Sequence, residues 1–214
     1  MKKDTDLQKI YIDQMIEVCN RLNASYEYIE RFFKNSNYIE FDCAVLQFRK
    51  ALEATAYASI SPNKEEYRAL RLKAKGGQDF SKDFKATAIF QNLEEINKDF
   101  YPVPLTPAIK QDDGSWKFGR KENAFLTKKK FSRTYDRLGK FLHADNPWDK
   151  DKQRQNIVKD IQSTIPLLRN LLQFHAVFIR TKRYNGVWVV EVPEQEDLKP
   201  NIFTAMSQGD FSVQ

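Results

Sequence analysis

Seven apolar side chains near the start of the chain, Tyr11, Met15, Val18, Leu22, Tyr26, Ile29 and Phe33, follow one another at steps of four, three, four, four, three and four. Such steps keep side chains on one face of a 3.6-residue helix, whereas a strand turns alternate residues to opposite sides. The spacing predicts one long helix, or two packed end to end, closed by Asn35-Ser36-Asn37. A second row, Phe41, Val45, Phe48, Leu52 and Ala56, predicts a partner helix, with Arg49 and Glu53 spaced for an intrahelical pair.

Breaks and further stripes carry the same reading along the chain. Ser61-Pro62-Asn63 ends the second helix, and Lys64 to about Lys75 reads as a shorter basic helix stopped by Gly76-Gly77. An exposed loop is expected from Gly76 to Lys85. A helix then starts at Ala86, with Ile89, Phe90, Leu93, Ile96 and Phe100 inward, and Pro102, Pro104 and Pro107 forbid its continuation. Ala108-Ile109-Lys110 and Trp116-Lys117-Phe118 flank Asp112-Asp113-Gly114-Ser115, the pattern of a small surface β-hairpin.

From Leu126 to His143 the apolar Phe131, Tyr135, Leu138 and Leu142 share one helical face and the cations Lys130, Arg133, Arg137 and Lys140 line the other. The last long helix is expected from about Asp151, with Ile157, Ile161, Leu168 and Leu172 buried and a kink at Pro166. Ala176 to Ile179 and Val187 to Val190 then read as a closing hairpin around Tyr184-Asn185-Gly186, and the polar tail beyond Pro193 as irregular. The expectation is a mainly α domain spanning 1–214: a helical core over about 6–175, of about five or six helices with two small β-hairpins, ending in a C-terminal hairpin and tail over 176–214.

Composition narrows the function classes. The chain holds only 7 glycines, with no Gly-x-Gly-x-x-Gly and no Gly-Lys-Ser/Thr, so no nucleotide-cradling loop is expected. No apolar run approaches the ~18 to 20 residues of a membrane span, and the opening Met-Lys-Lys-Asp-Thr-Asp-Leu has no signal-peptide core. Cys19 and Cys43 lie far apart on predicted helices, as reduced thiols of a cytoplasmic protein would. Two histidines, two isolated cysteines and no His-x-x-x-His give no metal pattern, and no cofactor is called for. Trp116, Trp148 and Trp188 fall in turns or strands, where packing is the expectation. The formal charge of +6 permits a nucleic-acid partner, and a solvated basic surface, the commoner case, explains the same number.

Each histidine has an arginine six residues before it: Arg137 before His143, and Arg169 before His175. Such a pair suits metal-independent cleavage of RNA. Histidine takes the proton of a ribose 2′-hydroxyl near neutral pH, while guanidinium holds the phosphate and stabilises its developing charge. Lys128, Lys129 and Lys130, continued by Arg133 and Lys140, would lay a strip of phosphate-binding cations on the helix that leads to His143. Other roles fit the same residues. His143 at a helix C-terminus can bond the last carbonyls, and His175 falls on the side of Ile157 and Ile161, where a core histidine belongs.

The helical layout, together with Arg-x5-His in Tyr135-Asp136-Arg137-Leu138-Gly139-Lys140-Phe141-Leu142-His143-Ala144, resembles the HEPN superfamily, small helical domains of bacterial defence and toxin-antitoxin systems. The resemblance covers about residues 6 to 175. It implies a homodimer in which the Arg and His of the motif meet copies from a second chain. It implies either a metal-independent endoribonuclease or RNA-binding protein, with Arg137 and His143 at its site, or a non-catalytic module that meets a partner protein such as an antitoxin. The family often has a polar residue after the motif arginine. Leu138 departs from this, whereas Asn170 in the second candidate set, Arg169, Asn170 and His175, conforms.

Overall fold

The computed structural model describes residues 2–74, 79–114, 116–143, 154–181, 185–194 and 198–206. Two long helices, α1 (Lys2–Asn35) and α2 (Tyr38–Ile60), form an antiparallel hairpin. Their turn is made by Ser36, at φ 53°, and by Asn37, whose side chain accepts the Ile39 amide and so caps the start of α2. The stripe on α1 is as the spacing predicts from Tyr11 to Leu22, then shifts: Ser25 and Ile29 are buried while Tyr26 and Phe33 are exposed. The reason is close approach. Ser25 donates its hydroxyl to the Ala44 carbonyl at 2.9 Å, a close side-chain-to-backbone contact for which a tyrosine at that point would be too large.

Helix α2 is the centre of the molecule. Phe41, Ala44, Val45, Phe48, Ala51, Leu52, Ala54, Ala56 and Ala58 are all buried, and the buried hydroxyls of Thr55 and Ser59 donate to carbonyls four residues earlier. A 3₁₀ turn (Ser61–Asn63) leads into α3 (Lys64–Lys73), which buries Tyr67. Helix α4 (Ala86–Ile96) ends earlier than its apolar row suggests, because Asn97 leaves helical geometry. The Asn97 amide group donates to Asn63 Oδ1 and to the Phe178 carbonyl. Phe100 is buried from the irregular segment that follows, against Phe90.

Helix α5 (Lys128–Phe141) is capped by Thr127, whose side chain accepts the Lys130 amide, and α6 (Arg154–Leu172) holds Pro166 on its exposed side. Pro166 removes one backbone donor, and the carbonyl four residues before it, on Gln162, lies on the same exposed side where water can reach it.

The two expected hairpins differ from each other. The first stands alone: β2 (Ile109–Lys110) pairs with β3 (Trp116–Lys117) as a two-stranded ribbon. The second is the middle of a four-stranded antiparallel sheet in the order β1-β4-β5-β6, with β1 (Val103–Pro104), β4 (Phe174–Arg180), β5 (Asn185–Glu191) and β6 (Asn201–Met206). Strand β6 corrects the expectation of an irregular tail, since it pairs with β5 from Gly186↔Met206 to Glu191↔Asn201. Val177, Ile179, Trp188, Val190 and Val192 face the helices and belong to the same apolar cluster as Tyr11, Phe48 and Leu168. Ala176, Phe178, Val187 and Val189 form a second cluster with Leu105 on the other face. Thus both faces of β4 and β5 are apolar, which is why their β-branched runs are continuous in sequence. No described helix is long and apolar enough to cross a membrane.

Candidate nucleic-acid interface

Helix α5 forms because its sequence divides by face. Phe131, Tyr135 and Leu138 are buried, and helical geometry places Lys129, Lys130, Arg133, Arg137 and Lys140 within an arc of about 100° on the other side, over about 16 Å of axis. All five are exposed, with Asp136 at the border of the arc. Lys128 belongs elsewhere. It points back to the body, where its Nζ meets Glu94 Oε1 at 2.5 Å and lies over the Phe100 ring at 5.6 Å.

The orientation of α5 is fixed by a polar clasp to α2. The Arg49 guanidinium lies over the Tyr135 ring, 4.0 Å from its centroid, and donates to the Tyr135 hydroxyl at 2.7 Å and to the Tyr135 carbonyl at 3.2 Å. Glu53 pairs with Arg49 Nε at 3.2 Å and accepts the Tyr135 hydroxyl at 3.0 Å. Burial, reinforced by the Glu53 carboxylate, pushes the Tyr135 phenol up to about 12, so it remains a donor at neutral pH. Gly139 completes the clasp. A β-carbon there would overlap Arg49 Nη1 and crowd its Cζ at 3.1 Å.

The candidate residues Arg137 and His143 occupy the end of this helix. Arg137 Nη1 is 2.6 Å from Asp160 Oδ2 on α6, so its charge is already balanced by a half-exposed carboxylate. His143 is exposed, one residue past the cap at Leu142. Arg137 thus lies within α5 and His143 beyond its end, six residues on in sequence.

The second set is dispersed. His175 lies on β4, beyond the end of α6 at Leu172, where a helix had been expected to carry it. It is fully buried, and its Nδ1 lies 2.8 Å from the Leu172 carbonyl and its Nε2 2.7 Å from the Tyr11 hydroxyl. A carbonyl only accepts, so Nδ1 carries the proton and Nε2 receives the tyrosine's. Burial holds this imidazole down at about 4, neutral at physiological pH. Arg169 donates to Asn23 Oδ1 at 2.6 Å beside a cavity of about 20 Å³, room for about one water. Asn170 donates to the Ala124 carbonyl at 2.9 Å. The three residues therefore tie α6 to three different neighbours.

Trp116 departs from the packing expected of it: it is 57% exposed, whereas Trp188 is buried. Trp148 lies outside the described residues. The clasp at Arg49 and Gly139, and the Asp160 partner of Arg137, were not visible as site features in sequence. Two sequence signals point toward the clasp: the Arg49/Glu53 spacing, and Gly139, since a glycine inside a basic amphipathic helix asks for a packing reason.

Charge is distributed very unevenly along the chain. Residues 109–140, the ribbon through α5, hold ten lysines and arginines against four aspartates and glutamates, a surplus equal to the formal +6 of the whole molecule. The remaining residues hold 25 of each sign. Among the described residues no group of three His, Cys, Asp or Glu side chains is placed to hold a metal ion. No protein-family model, no curated protein and no solved structure matches the chain.

Proposed function

We propose that this protein acts on RNA and meets the phosphate backbone through the exposed arc of α5. The observation that carries the reading is the alignment of Lys129, Lys130, Arg133, Arg137 and Lys140 on one outward face, within the segment that holds the molecule's entire charge surplus. Phosphate contacts from lysine and arginine position a nucleic acid without reading its sequence, and their strength falls steeply with salt.

The finer reading is a HEPN-like, metal-independent endoribonuclease of a bacterial defence or toxin-antitoxin system, cytoplasmic and acting as a homodimer. His143 takes the 2′-hydroxyl proton, the oxygen attacks the adjacent phosphorus, the 5′-oxygen leaves, and Arg137 stabilises the charge on the phosphoryl oxygens. In this reading, as the HEPN resemblance implies, the partner chain supplies the complementary member of each Arg137 and His143 pair. Incubating the protein with RNA in EDTA, beside His143→Ala, tests this. Cleavage that the substitution abolishes supports it; no cleavage by the natural protein, or equal cleavage by the variant, removes the catalytic role.

One observation favours a second reading, a non-enzymatic HEPN-like module for a protein partner such as an antitoxin. Arg137 is engaged by Asp160, while Phe33, Tyr38 and Ile39 stand exposed at the α1–α2 turn, Ile39 by 71%. An exposed apolar corner of this kind is a contact surface for protein. A chain that neither cleaves nor binds RNA at low salt, yet loses partner binding on Ile39→Asp, would establish this reading over the first.

A further inference from the structure

The ribbon of β2 and β3 stands out from the sheet with side chains that a solvated hairpin does not need. Trp116 and Ile109 are 57% and 62% exposed. The register pairs Lys110 with Trp116 and Ile109 with Lys117, so each face of the ribbon presents one apolar group beside one lysine. The root is firm. The Thr106 amide donates to the Gly119 carbonyl at 2.8 Å, the Lys121 amide to the Pro104 carbonyl at 2.9 Å, and Phe118 packs against Phe174 at 6.0 Å between ring centroids. The turn closes through Gly114, at φ +83°, with its amide on the Gln111 carbonyl. Asp112 and Asp113 occupy the tip, so an anionic strand would lie along the flank of the ribbon and avoid its end.

We propose that the ribbon is a stacking arm for unpaired RNA: Trp116 takes the face of an exposed base, and Lys110, its partner on the same face of the ribbon, meets a flanking phosphate. This rests on the reading of α5 as a phosphate-binding surface and names the form of RNA that the surface takes. An indole beside cations is the combination with which single strands are held, because every base has a face to stack on and every linkage a charge to neutralise. A duplex keeps its bases stacked on one another and offers the arm nothing but phosphate. Charge complementarity for a nucleic acid comes from the segment after the ribbon and from α5, which hold the chain's surplus, while the ribbon's own Lys110 and Lys117 are matched in number by Asp112 and Asp113 at its tip.

The test uses the full chain and an oligouridylate of about twelve nucleotides, the same oligomer with abasic positions, and an RNA duplex. Trp116→Ala is expected to weaken binding of the unpaired oligomer by roughly 5- to 150-fold, the range for loss of one stacked base, with Trp116→Phe retaining most of the affinity. The variant's thermal midpoint and its salt slope should match those of the natural protein, and abasic substitution should weaken the natural protein while leaving Trp116→Ala little changed. Equal binding by Trp116→Ala, or an equal loss with the abasic oligomer, overturns the arm and leaves the α5 reading intact. A change of oligomeric state on Trp116→Ala, with RNA affinity preserved, overturns it in favour of a protein contact. Absence of any binding by the natural protein at low salt overturns both.

Discussion

Gly139→Ala offers a test in which two physical effects have opposite signs. Within a helix, alanine is favoured over glycine by about 1 kcal/mol, so propensity alone predicts stabilisation. Here the added methyl would occupy the space taken by the Arg49 guanidinium, which must withdraw from the Tyr135 hydroxyl at 2.7 Å and carbonyl at 3.2 Å. Hydrogen bonds from a charged donor contribute ~1.5–3 kcal/mol each. The Arg49 side chain is partly exposed and keeps Glu53 as a partner, so the lower end applies, a loss of about 3 kcal/mol for the two. Subtracting the propensity gain leaves a net destabilisation of about 2 kcal/mol, or on the order of 4–8 °C in thermal midpoint for a chain of this size. In an Arg49→Ala background the same substitution meets no guanidinium and should raise the midpoint by about 2–4 °C. Calorimetry or urea unfolding on the four proteins of this cycle gives the coupling directly. A natural chain that Gly139→Ala stabilises, or a cycle whose two arms agree in sign, would refute the clasp.

Three further outcomes are expected. His175 is held near 4 in the fold against an ordinary value of about 6.5, so the unfolded chain binds the proton first as pH falls. Its stabilising contribution is complete above about pH 6.5, declines down to about pH 4 and amounts to about 3 kcal/mol; unfolding midpoints of His175→Gln should lack that decline, and a natural chain equally stable at pH 7 and pH 5 would contradict the assignment. Lys129→Ala with Arg133→Ala should reduce the slope of log affinity for single-stranded RNA against log salt by about 1.4, as two phosphate contacts are lost, and an unchanged slope would place the RNA elsewhere. Asp160→Asn should release the Arg137 guanidinium and strengthen RNA binding at low salt; weaker binding would mean that Asp160 holds Arg137 in its working position.

Helices were legible in sequence because their faces repeat locally, and their departures arose where a distant segment intervened. Tyr26 fits the stripe of α1 by spacing, yet the proximity of the Ala44 carbonyl selects Ser25 in its place. The apolar row of α4 continues to Phe100, but Asn97 ends the helix by bonding to Asn63 and to the Phe178 carbonyl, a partner 81 residues away. Strand β6 is a short apolar run, Ile202 to Met206, inside a polar tail, and its strand identity depends on pairing with β5. Of the site, the cationic face of α5 could be read by counting around a helix. The Asp160 partner of Arg137 could not, since it depends on how α6 docks, nor could the exposure of Trp116, which depends on what packs against a two-stranded ribbon.

Strand β1 is bounded on one side by β4, through the Leu105 amide on the Phe174 carbonyl, and on the other by the returning segment at 119–121. The ribbon is therefore an extension of a sheet edge whose base is fixed and whose length is not. Side chains on paired strands alternate with a period of two, so adding or removing one residue on each arm turns Trp116 and Lys110 to the opposite face, while two on each arm restore their direction and move them by about 7 Å. Reach and facing at this edge thus change in discrete steps, and neither step requires any adjustment in the core beneath it.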